Sequence, residues 1–276
     1  MNDELVILGS GGGRHHIRTQ HRATGGFLYK FNGPNNSPAD LSVVHIDPGP
    51  GSIVRLNQYK EDPLKTDVFI VSHPHVDHYN DIMAVIESSR EILHDREYNY
   101  FKKGILITTA DVIKLISEYH LNMLEKVITF KIGDEYNYKG VEIIGTKVIH
   151  SPNNEGFGIR FNLENYSLAY TSDTMVFDGF SEQFAGTNIL ILNLLRPDSV
   201  TCKRHVCTDE VIPYLNKIDP PLDTLIISHF GSFMDGFRSK QNHVPSQVAK
   251  LQERTKIKRV IAAEDGLKLR IHELLG

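Results

Sequence analysis

Tryptophan is absent from this chain and cysteine occurs only twice, at Cys202 and Cys207. Two thiols cannot build a disulfide framework, and 276 residues are enough to bury a core without one. No apolar run approaches the ~18 residues that a membrane-spanning helix requires. The opening stretch, MNDELVILGSGG, places no basic segment ahead of an apolar one, so no secretory leader is read there. Positive charge is not in excess either. The formal net charge is −4, so bulk electrostatics does not draw the chain to nucleic acid, and a polyanion would need a local basic patch or bound cations. Internal repeats and Pro/Gly/Ser-rich linkers are also missing. The expectation is a single domain over residues 1–276, in a reduced, cytoplasmic protein that does not use the membrane.

The apolar pattern indicates an α/β protein. TDVFIVS, GILITT, NILILNLL and DTLIISH are short, β-branched apolar runs that read as buried strands. TGGFLYKF and LSVVHIDPG flank a Pro/Asn-rich segment at 31–42 and read as a hairpin. Two strands joined at Glu164-Asn165-Tyr166 are expected in FGIRFNLENYSLAYTSD, and a turn at Lys139-Gly140 separates further β segments. Helical spacing is read in DHYNDIMAVIESSREIL, across residues 110–127, in TDEVIPYLNKI, and in the segment beginning SQVAKLQERT. The last of these leads to a strand and a turn at Asp265-Gly266. Strand-rich sections each followed by helices suit a layered sandwich better than an all-parallel sheet.

What the chain has in plenty is histidine, 14 in all. Four metal-capable side chains, His73, His75, Asp77 and His78, fall within SHPHVDHYND, between a predicted strand and a predicted helix. Loops at the carboxyl ends of strands are where α/β layers build sites. Four donors in one turn rarely complete a two-metal centre. Three more stand singly at the ends of apolar strands: His150 before Ser-Pro, Asp173 before Thr174, and His229 before Phe230-Gly231.

These residues, in this order, resemble the metallo-β-lactamase superfamily, as do LGSGGG and HIDPGPG near the start. The resemblance implies a four-layer αββα sandwich with a dinuclear site. In it His73, His75 and His150 hold one metal, Asp77, His78 and His229 the other, and Asp173 bridges. Imidazoles and carboxylates suit zinc, and the donor set also admits manganese or iron. Such a pair supplies hydroxide at neutral pH and polarises the oxygen of an ester, lactone or phosphodiester. The superfamily's β-lactamase branch commonly has Cys where this chain has Asp173, which argues against antibiotic hydrolysis.

Substrate does not follow from fold. His205, within LLRPDSVTCKRHVCTDEVIPYL and just ahead of a helix that Thr208 could cap, resembles the extra histidine of ribonuclease Z and of the phosphonate-pathway cyclic phosphodiesterase. A histidine there would help the leaving alkoxide and the phosphoryl oxygens. Asp77 and His205 are therefore the candidate catalytic residues. Lys203 and the arginines of GGGRHHIRTQHRATGG, Arg14 and Arg18 foremost, are candidate substrate contacts. The glycines flanking that basic segment favour a loop. Ribonuclease Z typically carries a long arm between the third histidine ligand and the bridging aspartate. Here the corresponding interval, 151–172, holds only two strands and their turns, so precursor tRNA is not expected.

A small phosphodiester is the favoured substrate. A lactone or thioester is the alternative, weakened by the absence of Tyr just after Asp173. A metal-stabilised partner-binding protein is a third class, and a homodimer is compatible with the branch. Cys202, His205 and Cys207 together fall one donor short of a closed zinc site. His45, His94 and His120 read as ordinary surface or core residues, while His243, Phe230 and Phe233 are further candidates for the pocket wall.

Overall fold

A computed structural model describes residues 3–33, 41–90, 103–152, 156–198 and 200–276. Among these residues fourteen strands form two seven-stranded sheets. The first contains β1 (Glu4–Ile7), β2 (Phe27–Asn32), β3 (Leu41–Ile46), β4 (Thr66–Val71), β5 (Ile105–Thr108), β6 (Lys126–Thr129) and β14 (Lys268–Arg270). Its order is β14-β1-β2-β3-β4-β5-β6, antiparallel as far as β3 and parallel beyond it. The second contains β7 (Glu135–Tyr138), β8 (Val141–Thr146), β9 (Gly158–Asn162), β10 (Ser167–Tyr170), β11 (Ile189–Asn193), β12 (Thr224–Ser228) and β13 (Arg259–Ala262). There β7 to β10 are antiparallel and β10 to β13 parallel.

The apolar runs are explained by burial on both faces of each sheet. Val68 and Ile70 of β4 join Tyr29, Phe161, Leu168 and Ile191 in the core between the sheets. Their neighbours Phe69 and Val71 point outward, against Leu56, Ile82, Val85 and Ile86, which lie on α2 (Ser52–Gln58) and α4 (Ile82–Ser88). In the second sheet Leu190, Leu192, Leu225 and Ile227 face Val211, Leu215 and Leu251, on α7 (Thr208–Leu215) and α8 (Val244–Arg254). Helices outside two facing sheets make the expected αββα sandwich.

Several local expectations need correction. The basic segment is not a loop: α1 spans Gly13–Thr19 and ends at Gln20, whose φ of 49° closes it. Residues 110–127 are not one helix but α5 (Ala110–Ile113) and α6 (Glu118–Leu121), because the Ser117 hydroxyl accepts the His120 N–H and starts a new turn. The helix after the histidine cluster is likewise divided, into α3 (Val76–Tyr79) and α4, with Asp81 turned to accept the Gly51 N–H at 3.0 Å. Cys207, not Thr208, stands at the N-cap of α7, where Glu210 Oε2 accepts the Cys207 N–H. After β14 the chain ends in a short α9 (Ile271–Leu274). The tip of the hairpin at 34–40, His94 and the end of the helix reading at 91–93 lie outside the described residues.

Candidate metal centre

Every metal-capable residue named from the sequence follows the carboxyl end of a strand or opens the helix beyond it. His73, His75, Asp77 and His78 follow β4, His150 follows β8, Asp173 follows β10, and His229 follows β12. Within each sheet these strands run the same way, so their ends meet along one rim. Backbone strain is concentrated there: Asp47, Ser172, Arg204 and His229 all have left-handed φ values, between 51° and 73°.

Two donor groups form among the described residues: His73, His75, His150 and Asp173, and then Asp77, His78 and His229. In the first, His73 Nε2 and His150 Nε2 each lie 3.0 Å from His75 Nδ1. Asp173 Oδ2 stands 3.9 Å from the first of these and 3.7 Å from the second. In the second group His78 Nε2 and His229 Nε2 are 3.1 Å apart, and Asp77 Oδ2 is 3.3 Å from His229. Asp173 reaches this group too, with Oδ1 3.3 Å from His229 and Oδ2 3.5 Å from His78. Donors about 2.0–2.1 Å from a tetrahedral ion are separated by about 3.3 Å, so both groups fit a cation and Asp173 lies between them.

Hydrogen bonding behind the donors sets the tautomers. His78 Nδ1 meets Asp47 Oδ2 at 2.8 Å, His150 Nδ1 meets the Arg204 carbonyl at 3.0 Å, and His73 Nδ1 meets Ser72 Oγ at 3.0 Å. Each acceptor places the proton on Nδ1 and leaves Nε2 free to ligate. Asp47 also accepts the Ser72 N–H, the Ser72 hydroxyl and the Tyr170 hydroxyl. Asn193 Nδ2 donates to Asp173 Oδ1 at 2.8 Å, and the Gly13 N–H donates to Asp77 Oδ2 at 2.6 Å. Burial alone would raise the Asp77 carboxyl and lower the His78 ring. The histidines outweigh it for Asp77, which is held well below the usual carboxylate range, and Asp173, Asp47 and Asp77 outweigh it for His78, which is raised well above the ordinary imidazole value. The pocket is built to hold positive charge.

His205 joins this rim. Its Nδ1 lies 3.8 Å from Asp173 Oδ2, its ring is 4.6 Å from that of His150, and burial pushes its pKa down to about 4, so the ring is neutral at pH 7. Beside the first donor group opens a cleft of about 510 Å³, lined in part by His73, His150 and Asp173. Arg204 lines it; Lys203, its exposed neighbour, does not. Arg14 and Arg18 are exposed on α1 and lie outside the cleft wall, as do His243, Phe230 and Phe233. Arg22 is structural, donating to Ser10 Oγ at 2.8 Å and lying over the Phe230 ring.

The remaining histidines show the converse tautomer logic. Buried His16 accepts the Arg22 N–H on Nδ1, so its proton is on Nε2, which lies 3.1 Å from Asp235 Oδ2. His45 is buried against the Gly25 carbonyl, and His120 is a half-buried partner of Ser117 and Glu87. Neither cysteine enters a donor group among the described residues, and burial raises the Cys207 thiol to about 11. Sequence reasoning missed Asp47, Tyr170, Asn193 and Arg204. Asp47 alone had a visible signal, ending a strand in HIDPGPG.

Comparison with known proteins agrees with this geometry. The model of the beta-lactamase superfamily domain matches residues 43–230. A protein of Methanocaldococcus jannaschii, described as uncharacterised, is 33% identical over 240 residues, 84% of this chain and 84% of its own. The metallo-beta-lactamase fold protein YhfI from Bacillus subtilis has a TM-score of 0.71 at 18% identity, with 97% of this chain and 98% of that one covered. A diphosphatase from the PhnP family has a TM-score of 0.64 at 17% identity, covering 97% of each chain. With that family's model spanning most of its sequence, the chain belongs to the beta-lactamase superfamily.

Proposed function

We propose that the protein is a metal-dependent hydrolase of small phosphodiesters. The observation that carries this reading is the position of His205, a neutral imidazole 3.8 Å from the carboxylate shared by both donor groups. His73, His75 and His150 would hold one divalent cation and Asp77, His78 and His229 the other, with Asp173 between them; zinc suits the donors best. Bound there, such a pair supplies a hydroxide nucleophile at neutral pH and stabilises charge on the phosphoryl oxygens.

The chain's own residues do the rest. His205, neutral at pH 7, stands where its ring N–H can hydrogen-bond to the developing charge on the leaving alkoxide or on a phosphoryl oxygen, with the proton itself coming from solvent. Arg204 is among the lining residues of the cleft, and its guanidinium would pair there with a non-bridging phosphoryl oxygen. Arg14, Arg18 and Lys203 are exposed cations that would meet charge on the substrate beyond the cleft. Asp77 is fixed by the Gly13 N–H, which donates to Oδ2, the oxygen that faces His229 and His78. With only 22 residues between His150 and Asp173, β9 and β10 among them, a compact substrate is favoured over precursor tRNA.

The mainly apolar wall of the cleft favours, as a second reading, hydrolysis of a lactone or thioester. Metal content measured alongside hydrolysis of bis-p-nitrophenyl phosphate and of a simple lactone, for wild type and His205→Ala, separates the two. Two metals per chain with phosphodiesterase activity reduced roughly 10²- to 10⁴-fold by the substitution is expected. Lactone cleavage indifferent to His205, with no phosphodiesterase activity, would overturn the phosphodiester reading.

A further inference from the structure

Large apolar side chains on a surface are unremarkable when scattered and informative when they converge. Three of the chain's exposed large hydrophobics, Ile132, Ile149 and Met175, are 49%, 39% and 38% exposed and all line the one cleft that opens on the first donor group. Two are tied together, since the Met175 N–H donates to the Ile149 carbonyl at 3.0 Å. Phe130 and Val148 continue the apolar wall inward, and Phe130 is fixed by an edge-on contact with Phe157.

Most of the polar side chains among the described lining residues are already engaged. Ser172 Oγ donates to Ser72 Oγ, and His150 Nδ1 is committed to the Arg204 carbonyl. Among the described residues of the lining, Asp173 is the only carboxylate and Lys131 and Arg204 are the cationic residues. A sugar-like group with a hydroxyl on every carbon would leave those that lie along the Phe130, Ile132, Val148, Ile149 and Met175 wall without partners, at a desolvation cost for each one.

We infer that the substrate carries a hydrocarbon-rich arm, aliphatic or aromatic, which lies among Phe130, Ile132, Val148, Ile149 and Met175 while its anionic group sits over the donor groups beside Arg204. This rests on the hydrolase reading of the same site and refines it: among small phosphodiesters it selects those with an apolar substituent and disfavours cyclic sugar phosphates. Ile132, Ile149 and Met175 become the residues that set specificity. The cleft, at about 510 Å³, lies within the usual range for small-molecule sites and limits the arm to a compact group.

The test uses the metal-loaded protein and a series of alkyl p-nitrophenyl phosphate diesters, methyl, butyl and octyl, which share one leaving group. Burying the alkyl arm should raise kcat/KM about twofold to fourfold per methylene until the cleft is filled. Ile132→Asp and Met175→Asp, both at exposed positions, should flatten that dependence. A flat series in the wild type, or a dependence that both variants preserve, would overturn the inference. Calorimetry with methyl and octyl phosphonate on the same protein reads the cleft without turnover. No p-nitrophenol release combined with octyl phosphonate binding tighter than methyl, and loss of that preference in Ile132→Asp, would uphold the cleft and overturn only the phosphodiesterase reading. Equal binding of the two phosphonates would overturn the cleft assignment.

Discussion

Gly12 lies against the imidazole of His229, so close that a β-carbon on Gly12 would overlap the ring. The contact joins the glycine-rich start of the chain to the last histidine of the site, and the Gly12 N–H donates to the Phe230 carbonyl beside it. Gly12→Ala should therefore push His229 off its position while leaving the sheets intact. The expected outcome is a roughly 10- to 100-fold loss of affinity at one of the two metals, with thermal unfolding of the metal-free protein little changed. Metal titration against a competing chelator gives the first quantity and calorimetry the second; unchanged affinity at both sites would show that His229 does not ligate.

Asp47 is the second point of control. It is 2% exposed and takes hydrogen bonds from Ser72 twice, from Tyr170 and from His78. Asp47→Asn keeps the shape but removes the charge that raises His78 and fixes its tautomer. Metal affinity should fall roughly 10- to 100-fold, in the group that contains His78. Equal weakening of both metals, or neither, would mean that the His78–Asp47 pair serves the fold and not the site.

The sequence disclosed some of this and hid the rest for identifiable reasons. TDVFIV reads as a strand because both of its faces are buried, Val68 and Ile70 inward and Phe69 and Val71 outward. SHPHVDH is legible because four donors sit within one turn. His150, Asp173 and His229 are legible because each interrupts an apolar run where a strand stops. Asn193 and Tyr170, the last residues of β11 and β10, are not set apart from the runs they close, and their hydrogen bonds to Asp173, to each other and to Asp47 exist only once β10 and β11 pair. The left-handed turns at Asp47, Ser172 and His229 carry no glycine to announce them. The same applies to α1, whose flanking glycines suggest a loop, although Gly12 serves contact with His229 and Gly13 takes a φ of 77° at the first helical position.

Asp77→Ala distinguishes an enzyme from a protein that keeps metals for its architecture. Asp77 is 8% exposed and accepts from Gly13 at the start of α1. In a hydrolase, turnover should fall by at least about 10²-fold with a modest stability change, since one carboxylate at a rim does not hold the sheets together. In a metal-stabilised binding protein the dominant effect would be a large fall in Tm under metal-saturating conditions. Parallel activity and unfolding measurements on the same preparation decide between them.

Away from the site, the edge of the first sheet is fastened by an ion network with a defined pH signature. Glu61 is largely buried and receives Lys30 Nζ at 2.7 Å and Lys268 Nζ at 2.5 Å; Lys30 also pairs with Glu4 at 2.8 Å. Glu4 and Lys30 are register partners on β1 and β2, and Lys268 lies on β14, so the network ties three neighbouring strands. Burial would raise the Glu61 carboxyl, but Lys268 and Lys30 outweigh it and hold it below its ordinary value of 4.5. A carboxyl lowered in the folded state stabilises fully above its unfolded value and loses that contribution as pH falls through the lowered one. Burial likewise would lower Lys30, but Glu4 and Glu61 raise it above 10.5, so its contribution is complete below that value and lost as pH rises through the raised one. Glu61→Gln should thus cost roughly 1–3 kcal/mol at pH 7 by leaving Lys30 half-paired and buried. The Tm gap between wild type and variant should stay level from about pH 6 to 9 and narrow as the pH is lowered below 4.5. A gap independent of pH across the acid range would show that Glu61 acts there by packing and not by charge.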